Sequence, residues 1–221
     1  MRFFFLVLLF PFLAACAAGK AERASTPIGS ALSSTGPTIV IDAGHGGLDL
    51  GARGQKPYCE EKRISLQTAR LVKQYLSQLG YHVIMTRVSD SFVSLNKRTE
   101  TANKAGSELF VSIHFNSSRN PTAKGIEVFF CDAKNNAIRT SSSRRLATLV
   151  LTRLIRRTNA VSRGVKKGNF FVIRETQMPA ILVEGGFISN PGELNKLKDP
   201  KYIDQIARAV ADGVDQYFKK K

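Results

Sequence analysis

From residue 38 onward the chain alternates short apolar runs with segments of helical period, and that alternation leaves few folds open to it. TIVID at 38–42 reads as a buried strand. Residues 62–79 place Ile64, Thr68, Leu71, Val72, Tyr75 and Leu79 on one helical face, with Gly80 as a natural stop. YHVIMTR follows as a strand, then a helix over about 94–106, then ELFVSIHFN (108–116) and GIEVFFC (125–131) as strands. An amphipathic helix over 142–157 turns Leu146, Val150 and Leu154 inward, and NFFVIR and PAILVEGGF read as two more strands. The last helix opens at Asp199-Pro200, a cap followed by a first-turn proline, and buries Ile203, Ile206, Val210, Val214 and Tyr217. Alternation of this kind predicts a single α/β domain with a largely parallel sheet covered on both faces.

The segment before residue 38 is of another kind. MRFFFLVLLFPFLAAC carries one basic residue, an apolar stretch from Phe3 to Leu13 and then small residues. That is the pattern of a secretory signal peptide, too short to span a membrane comfortably. Leu13-Ala14-Ala15-Cys16 resembles a bacterial lipoprotein box, with cleavage after residue 15 and acylation of Cys16; a plain signal peptide cut near Ala18 is the alternative. Residues 16–37 then form a small, polar, Pro/Gly-punctuated tether, and 38–221 the folded domain. The expected location is the periplasm, lipid-anchored to a membrane, the outer rather than the inner. The chain has 33 Lys and Arg against 17 Asp and Glu, a net +16. Export, and the lack of a zinc finger or an aromatic RNA-binding signature, argue against nucleic acid as the partner; an anionic cell envelope accounts for the excess equally well. Whether Cys59 and Cys131 pair is left open.

In open α/β sheets functional groups gather at the carboxyl ends of strands. His45 lies just past the first strand, between Gly44 and Gly46; His114 lies near the end of the third; Glu184 precedes Gly185-Gly186 in the last. A catalytic zinc commonly takes two histidines and one carboxylate, leaving a position for water. The missing carboxylate is expected near the first strand, where YCEEKRISL offers Glu60 and Glu61. Gly44, Gly46 and Gly47 would let the chain turn sharply while His45 faces the metal.

IDAGHGGLDLGA, the Glu61-Lys62 pair, TRVSD, LNKRTETAN, FVSIHFN, GIEVFF and NFFVIRETQMPAILVEGGFISNP occur in that order along 38–221. Together they resemble the zinc-dependent N-acetylmuramoyl-L-alanine amidase family of bacterial cell walls. The resemblance implies a twisted, mostly parallel six-stranded sheet between helices. It also implies one Zn²⁺ held by His45, Glu61 and His114, with Glu184 as the catalytic carboxylate. The bond cut would be the amide between N-acetylmuramic acid and L-alanine in peptidoglycan. Asn116 and Arg174 are candidates for substrate contacts, and mid-strand Glu127 is expected to be structural. Regulated periplasmic members carry a long insertion after the fourth strand that folds over the zinc; the short stretch from Cys131 to about Ser141 predicts that this chain lacks it. No partner besides peptidoglycan and the membrane is expected, and the chain is expected to be a monomer. Two rivals stand beside this reading: a serine enzyme releasing D-alanine, from Ser94-Leu95-Asn96-Lys97, and a non-catalytic wall-binding protein.

Overall fold

The computed structural model describes residues 36–55, 58–133 and 135–219. The expected signal peptide, Cys16 and the tether fall outside the described residues. Eight strands and six helices follow one another in the order β1 (Thr38–Ala43), β2 (Arg53–Gln55), β3 (Tyr58–Glu60), α1 (Glu61–Gln78), β4 (His82–Met85), α2 (Leu95–Lys104), β5 (Leu109–Asn116), β6 (Ile126–Phe130), α3 (Ala137–Thr158), β7 (Ser162–Lys167), α4 (Phe171–Arg174), β8 (Ala180–Phe187), α5 (Pro191–Leu197) and α6 (Pro200–Lys219).

Six strands form one sheet in the order β4-β1-β5-β8-β6-β7, and β2 pairs with β3 in a separate antiparallel hairpin. Strands β4, β1, β5 and β8 are mutually parallel. β6 runs antiparallel to β8, and β7 runs parallel to β6. The reversal has a local cause: only residues 117–125 separate β5 from β6, too short a link for the helical crossover a parallel return requires. After β6 the chain does make such a crossover, through α3, and β7 follows in parallel.

Alternation along each strand sorts the side chains onto two faces. Ile39, Ile41, Leu109, Val111, Ile113, Ile181 and Val183 join the main core under α1, α3 and α6. Val40, Phe110 and Leu182 face the other way, with Ala102 of α2 and Val172 and Ile173 of α4. Helices on both faces and a largely parallel six-stranded sheet are as expected. One strand is not where expected. The apolar run NFFVIR contributes the short helix α4, and the sixth strand is the polar SRGVKK at 162–167. Both sides of β8 are already paired, to β5 and β6, and the free side of β6 is taken by β7. Val172 and Ile173 therefore bury themselves on the sheet's face rather than at its edge.

The crossing of α3 on α6 depends on Gly213. A Cβ at that position would stand 2.6 Å from the Val150 Cα and 3.0 Å from its nitrogen, with backbone that cannot rotate away. Gly213→Ala, which in an open helix interior would gain roughly 0.5–1 kcal/mol, is expected here to destabilise the domain by about 1–3 kcal/mol; urea unfolding of the variant measures it.

Candidate metal centre

Strand β1 ends in a turn that no ordinary backbone would choose. His45 has φ 59°, in the left-handed region, and Gly46 and Gly47 follow at 132° and 59°. A non-glycine residue held there costs on the order of 1–3 kcal/mol and persists only where the surroundings over-determine it. Two buried arginines do so. Arg98 Nη1 donates to the Ala43 carbonyl at 2.6 Å and Nη2 to the His45 carbonyl at 2.8 Å. Arg87 donates to the carbonyls of Ala43 (2.9 Å), Gly44 (2.7 Å) and Lys62 (2.8 Å). Arg98 is itself anchored on the fully buried Asp42, at 2.7 Å, whose other donors are Thr86 and Ser112. Burial raises the Asp42 pKa, but Arg98 and the two hydroxyls outweigh it, and the carboxyl stays below its ordinary value.

The turn brings His45 against two residues from elsewhere in the fold. Glu61 is the first residue of α1, buried, and His114 is on β5. His45 Nε2 lies 3.0 Å and His114 Nδ1 2.9 Å from the same oxygen, Glu61 Oε1, which also accepts from the Phe115 amide. Glu61 Oε2 accepts from the Ala52 amide at 2.8 Å, so the residue just before β2 fixes the carboxylate from behind. Burial raises the Glu61 pKa; hydrogen bonds and charge from His114 and His45 overcome this and leave it far below the usual carboxylate range. The three ligand atoms lie within 4.8 Å of one another. This is the donor set and closeness a zinc ion accepts. Asp49 Oδ2 sits 2.9 Å from His45 Nδ1 and orients the ring through its other nitrogen.

Glu184 stands beside this group. β-Register sets it opposite His114 on one side and Glu127 on the other. Its Oε2 is buried with no hydrogen-bond partner among the described residues. Burial, and then the charges of Glu61 and Glu127, push its pKa well above the ordinary value. A groove of about 320 Å³ opens over His45 and His114, walled by Phe92, Leu95, Phe170 and Phe171. A buried, unpartnered acid beside a His-Glu-His cluster and an apolar groove is equipped for metal-assisted hydrolysis.

The N-acetylmuramoyl-L-alanine amidase family model matches residues 39–216. The chain belongs to that family. A crystal structure of N-acetylmuramoyl-L-alanine amidase from Clostridium difficile 630 superposes with a TM-score of 0.79 at 36% identity, over 84% of this chain and 98% of that one. N-acetylmuramoyl-L-alanine amidase LytC of Bacillus subtilis is 34% identical over 203 residues, 91% of this chain, and the chain covers 40% of LytC's length. The sporulation-specific N-acetylmuramoyl-L-alanine amidase of the same organism is 37% identical over 185 residues, 83% of this chain and 69% of that protein.

Within this amidase domain the other sequence expectations fare unevenly. Glu60, the rival to Glu61, accepts instead from the Tyr58 hydroxyl and from Arg63. Asn116 is near the site but engaged: its amide nitrogen donates to Glu127 at 2.6 Å and its oxygen accepts from Ser117. Arg174 is not brought to the groove; it lies on Glu175 and Asn169 and lines a separate depression with Cys131 and Arg139. Gly44 serves less for bending than for room, since a Cβ there would stand 2.3 Å from the His114 ring. Gly185 makes room for Phe115, whose ring would stand 2.7 Å from a Cβ there. Cys59 and Cys131 are both free thiols. Ser94 of the S-x-x-K match caps α2 through the Lys97 amide, and the Lys97 ammonium lies on Glu100, which leaves no activated serine there. The sequence reading assigned no role to Asp49, Arg87 or Arg98, although the motifs contained all three; only the Asp at i+4 from His45 offered a signal.

Arg98→Met would leave Asp42 charged and unpaired in the core, at a cost of about 3–5 kcal/mol. The variant is expected to lose its folded baseline at lower urea and to bind zinc more weakly in equilibrium dialysis. Asp42 and Glu61 both titrate below their ordinary 3.8 and 4.5. Their contribution to stability is therefore whole above about pH 4.5 and is lost as pH falls toward the folded values; an acid titration followed by circular dichroism should show it.

Proposed function

We propose that the chain hydrolyses the amide between the lactyl group of N-acetylmuramic acid and L-alanine in peptidoglycan, with one Zn²⁺ held by His45, Glu61 and His114. The observation that carries the reading is the meeting of those three side chains at one carboxylate oxygen, next to a buried acid with no partner. Bound there, a zinc ion would polarise the scissile carbonyl, lower the pKa of a water and offset the charge of Glu61 so that Glu184 can ionise. Glu184 then takes the proton of the attacking water and returns it to the leaving alanine nitrogen. His45 keeps its ligating nitrogen aimed because Asp49 holds the opposite one. Burial lowers the His45 pKa, yet Glu61 and Asp49 raise it above its ordinary value on balance. Protons therefore compete with the metal in acid, and zinc affinity falls there.

The apolar groove gives the substrate a desolvated wall, and among the described residues that line it none comes from the short β6–α3 connection. Activity without a separate activator follows from this reading. Peptidoglycan lies outside the cytoplasm, and the amino-terminal pattern supports export with Cys16 as a lipid anchor. Among the described residues no helix is long and apolar enough to cross a membrane.

Mass spectrometry of muropeptides after digestion tests the bond directly: free stem peptides beginning with L-alanine, and glycan ending in unsubstituted lactyl groups, are expected. Glu184→Gln should lower turnover by about 10²–10⁴-fold while metal analysis shows one zinc per chain as in the wild type. Zinc-loaded protein incubated alone with purified sacculi should release stem peptides; release only on addition of a second protein would count against an open site.

A further inference from the structure

The row of side chains across the sheet continues past Glu184. His114 on β5 adjoins Glu184 on β8, Glu184 adjoins Glu127 on β6, and beyond Glu127 stand Arg163 and Lys166 of β7. Arg163 Nε (2.9 Å) and Lys166 Nζ reach the same oxygen, Glu127 Oε2, while Asn116 donates to Oε1. The Glu127 side chain is 5% exposed, whereas those of Arg163 and Lys166 are 35% and 39% exposed. One cation is enough to neutralise a buried carboxylate. The second leaves a positive charge in excess where the row meets solvent.

The backbone goes out of its way to place both cations there. Residues three apart on a regular strand face opposite sides of a sheet. Here the β6–β7 register shifts between Ile126 and Val128, and Gly164 sits at φ 87°. A Cβ on Gly164 would meet nothing within 4 Å, so the glycine serves its conformation and not a tight contact. A bulge of this kind re-aims a side chain, and here it turns Arg163 and Lys166 onto the face that carries Glu184.

We infer that Arg163 and Lys166 form a binding site for a carboxylate of the substrate, namely the free α-carboxylate of the D-isoglutamate that follows L-alanine in the stem peptide. This rests on the amidase reading above and adds the direction in which the peptide lies. Neighbouring strands are about 4.8 Å apart, so the step from β5 to β6 across β8 is roughly 10 Å. A scissile bond seated between His114 and Glu184 is half a strand spacing nearer, about 7 Å from Glu127, on which both cations close. Two Cα steps of about 3.8 Å cover that distance and bring the second residue level with the cations. The part of the groove over His45 suits a different part of the substrate: Phe92 and Leu95 are apolar, Asp49 is acidic, and Arg98 is buried on Asp42.

The test compares two synthetic muramoyl dipeptides with the zinc-loaded full chain, both capped as the methylamide at the γ-carboxyl. One ends in D-isoglutamate with a free α-carboxylate and one in D-isoglutamine, so that they differ only in that carboxylate. The acid is expected to be cleaved with a kcat/KM about tenfold or more above the amide, carried by KM. In Arg163→Gln/Lys166→Gln the ratio should fall to within about twofold of one, and Arg163→Lys/Lys166→Arg should restore it; a loss of packing alone would not move the ratio. Should the double Gln variant fail to fold, inhibition of the wild type by the product dipeptides decides, L-alanyl-D-isoglutamate being expected to inhibit at the lower concentration. Equal cleavage and equal inhibition overturn the carboxylate site and leave the amidase reading standing. Cleavage of neither dipeptide, with intact sacculi also untouched, overturns both.

Discussion

The buried Asp42–Arg98 pair, with Arg87 beside it, holds the centre together. A left-handed histidine is a conformation the chain resists, and three consecutive carbonyls, those of Ala43, Gly44 and His45, would otherwise be left to settle their own directions. Two guanidinium groups fix all three. A buried ion pair is weak evidence for stability, because desolvation offsets most of the attraction. Its value here is in geometry: the planar fork of arginine sets several acceptors at once, and the imidazole is aimed as a consequence.

The centre joins segments distant in sequence by means of short-range contacts. Glu61 reaches it because α1 begins there, and α1 begins there because the segment just before β2 pins its first turn, Glu61 N to the Ala52 carbonyl and Lys62 N to that of Leu50. Lys62 in turn binds the Gly47 carbonyl and Asp90, and Asp90 accepts from the Gly47 amide. The glycine loop is thus held from the helix side as well as from beneath. Glu193 performs a similar service at the far end, accepting from the amides of Gly125 and Phe187. Among the described residues Glu184 Oε2 is the buried carboxylate oxygen left without a hydrogen-bond partner, and an unpaired buried acid is costly; the chemistry proposed for it is the compensation.

Much of this could be read from residue order. Periodicity gave the helices at 61–78 and 200–219, and that at 137–158 from residue 142 on, since each carries a long apolar stripe; the helix at 95–104 has none and buries Arg98, Thr99 and Ala102. It failed where the stripe is absent or misleading. SRGVKK holds a single large apolar residue and makes an edge strand because α3 delivers it beside β6. NFFVIR has every local mark of a strand and forms one helical turn because both sides of β8 and β6 are already paired, and Val172 and Ile173 bury themselves on the sheet's face instead. The same limit explains Arg174: as a strand-end residue it would have faced the site, and as the last residue of α4 it does not.

By itself the sequence determined the fold class and put His45, His114 and Glu184 at or near strand ends, because short-range pattern and residue type carry that information; the preference for Glu61 over Glu60 came from the family's Glu-Lys pair. Tertiary structure decided which groups hold those four in place and what flanks them. Arg87, Arg98 and Asp49 acquire their roles only when carbonyls and rings from other segments come within about 3 Å, the range of a hydrogen bond. The antiparallel turn of β6 and the bulge against β7 decided that a basic pair, and not an apolar edge, lies beyond the acid. Spacing along a chain cannot express such proximity, since it arises from how the strands are ordered in the sheet.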